Sequence, residues 1–210
     1  MIDSGQGPAW LTAVSVWIYW ISVAFKAARM RIRGQGKAGL FPKQTLERLM
    51  WLAWVPVITG WVLFPWFTIT QSDAIWQLVP ASVSDLRWLA LRWAAAGIVL
   101  ICLLATLFCW HWMGQNWRVG VDTDTQTSLV TDGPFSRIRH PIYTLSILMM
   151  LASYVAVPIH PMLFIALLHL ILMYLKAGNE ESWLIGVYGN EYEIYRNRAG
   201  RFLPKWSRRS

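Results

Sequence analysis

The stretch "IYTLSILMMLASYVAVPIHPMLFIALLHLILMYL", residues 142–175, decides the architecture. It is apolar throughout and longer than the roughly 20 residues that one helical crossing of a bilayer needs. Its one interruption is "VPIHP" at 157–161. Pro158 and Pro161 remove backbone donors and disfavour helix in the residues before them, so a turn here divides the run into two helices of about 16 residues each. The expected result is a tight helical hairpin.

Three further apolar blocks lie upstream, from Ala9 to Phe25, Leu49 to Ile69 and Trp88 to Met113. With the hairpin they make five crossings, each near the short end of the spanning range. Composition agrees: 56% of the 210 residues are hydrophobic, 14% are charged and 15 are tryptophan. That balance is far from the soluble norm of about a quarter charged. The fold class expected is an all-α integral membrane protein. The net charge of +8 does not point to nucleic acid, because the basic residues sit between apolar blocks. There they act as topology signals and contacts with anionic lipid.

Orientation follows from the loops. Between Lys26 and Arg48 stand Lys26, Arg29, Arg31, Arg33, Lys37, Lys43 and Arg48 against the single acid Glu47, which marks a cytoplasmic segment. The loop from Thr70 to Arg87 carries Asp73 and Asp85 against Arg87 and belongs outside. Alternation places residues 114–140 and the tail from Lys176 in the cytoplasm and the N-terminus outside. The first block lacks the basic n-region and the exit signature of a secretory signal.

Cys102 and Cys109 fit no metal or redox spacing and read as buried packing thiols. Asp122, Asp124 and Asp132 lack the further ligands and fixed glycine of a calcium loop and read as a solvated turn. His169, inside the fifth crossing, reads as a neutral hydrogen-bonded packing residue, although an intramembrane ionisable group is formally a functional candidate. Arg92, near the outer end of the third helix, is placed to snorkel outward.

Chemistry-bearing residues gather at the cytoplasmic ends of the last helices, in "LVTDGPFSRIRHPIY" (129–143), "EESWLIGVYGNEYEIY" (180–195) and "RFLP" (201–204). Lys176 and Glu180 are four apart and share a helix face if the helix continues through Gly178. Each residue also has a plain reading. Arg139 is a basic flank, His140–Pro141 a helix start, Glu180 and Glu181 a solvated helix end, and Tyr188, Tyr192 and Tyr195 an interfacial belt.

The ordered set resembles the isoprenylcysteine carboxyl methyltransferase family and its relatives among membrane phospholipid methyltransferases, over residues 112–206. The resemblance implies an N-terminal three-helix region at 1–113 and a methyltransferase core at 114–210, with a cytoplasmic cofactor pocket capped by the C-terminal segment. It implies S-adenosylmethionine as cofactor and S-adenosylhomocysteine as product. The matching cofactor positions are Thr127, Ser128, Leu129, Val130, Phe135, His140, Pro141, Ile142, Tyr143 and Glu180. Where the family has a substrate-contacting arginine, this chain has Lys176, which keeps the charge but lacks the planar fork that grips a carboxylate with two bonds. Arg139, Lys176 and Glu180 are the candidate catalytic residues. The acceptor expected is a lipophilic or membrane-associated molecule with an S, O or N nucleophile. A transporter or assembly protein that retains the motif for stability is the alternative from another class, but polar groups gather at one membrane face rather than at the midplane. A nicotinamide-dependent reductase on a similar bundle would want a phosphate-cradling glycine motif, and the sequence has none.

Reporter fusions at successive loops check the topology. They should give five crossings, with an external N-terminus and a cytoplasmic C-terminus.

Overall fold

A computed structural model describes residues 5–32, 45–70, 86–114, 117 and 128–205. The six α-helices described are α1 (Gly7–Ile32), α2 (Thr45–Thr70), α3 (Leu86–Met113), α4 (Pro141–Ala156), α5 (His160–Tyr188) and α6 (Asn190–Arg198), with a 3-10 turn at Gly133–Ser136 before α4. The described residues contain no strand beyond an isolated parallel bridge between Ile138 and Gly200. Four helices, α1, α2, α3 and α5, are long and apolar enough to cross a membrane, and α4 is a shorter apolar helix. The chain is an all-α integral membrane protein.

The expected hairpin is present, with unequal arms. Pro141 opens α4 in its first turn, and Val157 caps it by donating its N–H to the Ser153 carbonyl. Pro161 then sits in the first turn of α5, where its missing donor costs nothing. α4 has 16 residues, as the apolar run predicts. α5 has 29, because Gly178 does not stop it and the helix continues to Tyr188. The other long helices also exceed their apolar blocks, at 26 to 28 residues. At about 1.5 Å per residue they outreach the hydrocarbon core, whereas α4 alone falls short of it.

α4 packs most extensively on α3, and α1 on α3 and α2 on α5 complete the bundle. Tryptophan fills the middle. Trp61 of α2 and Trp110 of α3 are fully buried. Both stack near Tyr19 of α1, with ring centroids 5.9 and 5.4 Å away. Two polar contacts inside this core cross between helices, as hydrocarbon surroundings favour. The Trp61 indole donates to the Ser153 hydroxyl at 3.0 Å, and His169 meets Ser146 at 3.0 Å. His169 is therefore the packing residue expected, set between Trp54 and Trp61. Cys102 and Cys109 are free and buried.

Two side chains near helix ends and breaks donate to backbone carbonyls of neighbouring helices. Pro65 lies inside α2 and cannot serve the Trp61 carbonyl; next to that gap, Trp17 of α1 donates its indole N–H to the Val62 carbonyl at 3.0 Å. Arg92 does not merely snorkel outward. Its Nε donates at 3.0 Å to the Ala156 carbonyl, one of the orphan acceptors at the end of α4.

After α6 the chain folds back along the segment that precedes α4. Arg139 N donates to Gly200 O at 2.7 Å, His140 N to Arg201 O at 3.1 Å and Gly200 N to Arg137 O at 3.0 Å. A Cβ at position 200 would collide with the Leu203 carbonyl oxygen, so only glycine permits this close return. Gly200→Ala should therefore lower the thermal stability of the detergent-purified protein by about 1–3 kcal/mol, as read from unfolding midpoints.

Candidate functional site

Arg139, His140 and Tyr143 arrive from one side, at and just inside the start of α4, and Glu180 and Glu181 from the other, in the last turns of α5. Tyr143 is one turn beyond His140, and their rings are parallel within 3° at 5.2 Å between centroids. The Tyr143 hydroxyl donates to Glu180 Oε2 at 2.6 Å. The same oxygen lies 3.8 Å from His140 Nδ1. Among the described residues Glu180 Oε1 keeps no partner, and the side chain is 34% exposed. Glu180 is thus oriented by one oxygen and open at the other.

Its neighbour is arranged in the opposite way. Glu181 Oε1 receives Arg139 Nε at 2.9 Å and Nη2 at 2.8 Å, and lies 3.2 Å from His140 Nε2. Glu181 Oε2 receives Nε of Arg201 at 3.0 Å and its Nη2 as well. Only 6% of the Glu181 side chain is exposed. The bond to Glu181 raises the Arg201 pKa further, so the guanidinium stays charged. Arg139 Nη1 also donates to the carbonyls of Arg196 and Ala199. The structure thus places Arg139 on the Glu181 side of the cluster, bound into the C-terminal segment, rather than on the open side with Glu180.

The C-terminal segment closes over this cluster. Thr144 Oγ1 donates to Phe202 O at 2.9 Å, and the Phe202 ring lies 6.1 Å from that of His140. Tyr192 and Tyr195 are buried against Ala199, so they are no interfacial belt. Burial pushes both phenols above their ordinary pKa, leaving them neutral donors. Tyr195 donates to Phe135 O at 2.6 Å. The Tyr192 hydroxyl has no hydrogen-bond partner among the described residues.

Of the remaining candidates, Leu129 packs on the Tyr192–Tyr195 cluster, and Phe135 is buried. Pro141 forms the first turn of α4, and Ile142 packs on the main core. Ser128 is exposed and Val130 half-buried. Thr127, Asp122 and Asp124 lie outside the described residues. Asp132 accepts a bond from the Trp112 indole at 3.3 Å. Among the described residues no group of three or more His, Cys, Asp or Glu is placed to hold a metal.

Lys176 points away from Glu181 toward α2. Its Nζ lies 5.4 Å from the centre of the Trp54 ring. A small recess there is lined by Glu47, Met50, Trp51, Trp54 and Lys176. Glu47 is only 3% exposed and accepts a bond from Asn179 Nδ2 at 3.1 Å. Sequence reasoning passed over Glu47, although its signal was legible as the lone acid in a basic segment. It also left Arg201 without a role inside a quoted motif.

The sequence model of the phospholipid methyltransferase family matches residues 90–191. Just under half of the chain is thus similar to phospholipid methyltransferases. The matched segment takes in most of α3, all of α4 and α5 and the start of α6, and so contains Arg139, His140, Tyr143, Lys176, Glu180 and Glu181, while Glu47 and Arg201 lie outside it. The family is one of membrane methyltransferases. No curated protein sequence matches the chain.

The two glutamates should separate in experiment. Glu181→Gln leaves two guanidinium groups without their shared carboxylate and should cost about 3–5 kcal/mol in thermal unfolding, the range for breaking a buried ion pair. Glu180→Gln keeps an acceptor for Tyr143 and should change stability by about 1 kcal/mol or less.

Proposed function

We propose that the protein transfers the methyl group of S-adenosylmethionine to a lipophilic acceptor at the membrane face where α4 begins and α5 ends. The observation that carries this reading is the half-open Glu180 carboxylate, oriented by Tyr143 beside His140, within the family-matched segment. The positive-inside count makes that face cytoplasmic, where the cofactor is made and used.

The residues present suit such a cofactor. Glu180 offers a free oxygen to an ammonium or to ribose hydroxyls, and the buried Tyr192 hydroxyl offers an unused donor. The stacked His140 and Tyr143 rings offer π-faces to an adenine or a sulfonium. When bound, the cofactor supplies an electrophilic methyl group with a good leaving group. The protein's own work is to align and to exclude water, because methyl transfer from a sulfonium needs little acid or base assistance. Tyr143 holds Glu180 in one orientation. Glu181 ties Arg139 and Arg201 together, which keeps the segment from Ala199 to Phe202 over the cluster and sheds solvent from it. Lys176, on the α2 side of α5, is placed for the acceptor, with Glu47 and Trp54 fixing its surroundings. The acceptor is membrane-accessible because the cluster sits at the end of a lipid-embedded hairpin.

Calorimetry with S-adenosylmethionine or S-adenosylhomocysteine in detergent should give at least micromolar affinity. No heat and no thermal stabilisation at millimolar ligand, in a folded sample, would overturn the reading. Glu180→Gln should weaken cofactor binding roughly tenfold to a hundredfold, the worth of one charge-assisted bond. Lys176→Met should leave cofactor affinity nearly unchanged and lower turnover of radiolabelled cofactor with membrane extract. Equal loss of affinity in both variants would merge the two residues into one structural pair.

A further inference from the structure

We infer that the cleft between the ends of α1 and α3 binds the phosphate headgroup of an anionic phospholipid. The cleft encloses about 600 Å³ and is lined on one side by Ile21, Phe25, Lys26 and Arg29 of α1 and on the other by Leu107, Trp110 and His111 of α3. Both helices run toward the membrane face that carries His140, and both change character in the same direction. Ile21, Phe25 and Leu107 come first. Lys26, Arg29, Trp110 and His111 follow at the helix ends. The walls therefore pass from hydrocarbon to cation over about two helical turns, which is the polarity profile of one phospholipid molecule.

The polar end is built almost wholly of donors. Lys26 and Arg29 are three apart on one helix face, and among the described residues neither meets a carboxylate. Lys26 is held in place, with its Nζ 3.5 Å from the Trp110 carbonyl and 5.2 Å from the centre of the Trp117 ring. Trp110 is 2% exposed, and its indole N–H has no hydrogen-bond partner among the described residues. A buried donor left unpaired is costly, and two unmatched cations repel each other. A phosphate diester has only acceptor oxygens and one negative charge, so a single ligand in the cleft satisfies both cations. The exposed Ile21 and Phe25 side chains, 68% and 64% accessible, give the acyl chains an apolar wall. That wall selects a lipid over free phosphate. The inference does not depend on the methyltransferase reading, because the cleft uses none of the residues assigned to the cofactor.

The test is thermal unfolding of delipidated full-length protein in a neutral detergent, titrated with phosphatidylglycerol, phosphatidylcholine or inorganic phosphate. Phosphatidylglycerol should raise the midpoint saturably, by several degrees, and the other two should have little effect. Arg29→Gln, at an exposed position, should weaken the apparent phosphatidylglycerol affinity roughly tenfold, as should Lys26→Met, each losing one charge-assisted contact. Both should keep the parent's unfolding midpoint in the absence of lipid as evidence of folding. Equal stabilisation by phosphatidylcholine, or an undiminished phosphatidylglycerol response in both variants, would overturn the proposal. A matching response to inorganic phosphate would also overturn it, by assigning the cleft to a free anion.

Discussion

A single carboxylate, that of Glu181, ties together the parts of the chain that make the site. It receives Arg139 and His140 from the approach to α4 and Arg201 from the returning C-terminal segment. A carboxylate that is nearly buried is tolerable only when its lone pairs are filled by cations with good geometry, and the planar guanidinium supplies that geometry. The same pairing gives the backbone bridge from Arg137 to Lys205 its register. Glu180, one residue away, is released from structural duty by this arrangement. Adjacent glutamates on a helix point about 100° apart, so one faces the cap and the other the opening.

Burial separates the polar groups of the bundle by depth. Near the middle, Ser146, Ser153 and His169 serve tryptophan and one another across helices. At one end Arg92 completes the C-terminus of α4. At the other lie Glu47, Asn179 and Lys176 between α2 and α5, and the cluster around Glu181 between α4 and the C-terminal segment. The long α5 helix belongs to both of the latter. It carries Lys176 beside the Trp54 ring of α2, Glu180 beside Tyr143 of α4, and Glu181 against Arg139 and Arg201.

α1 and α2 stand outside the matched segment yet are not passive. α2 contributes Glu47 and Trp54 to the surroundings of Lys176, and α1 closes the cleft against α3. Their sequences carry no motif because packing against lipid and tryptophan demands only size and apolarity, whereas the α4–α5 end demands particular donors and acceptors at particular spacings.

The sequence alone determined the membrane class, the hairpin break at Pro158 and Pro161, the start of α4 at Pro141 and the set of motifs around His140 and Glu180. These follow from local constraints, namely apolar length, missing proline donors and residue spacing. Tertiary structure alone decided which glutamate is open. Nothing in "EES" distinguishes Glu180 from Glu181, since the difference lies in what α4 and the C-terminal segment bring to each. The same holds for Arg139, which reads in isolation as a basic flank of a helix and is a tie to Glu181 in the fold. It holds for Tyr192 and Tyr195, whose burial depends on the chain turning back at Gly200. The extent of α5 past Gly178 was also beyond local reading, because the helix penalty of one glycine is about 1 kcal/mol and the packing of α5 on α2, α4 and α6 outweighs it.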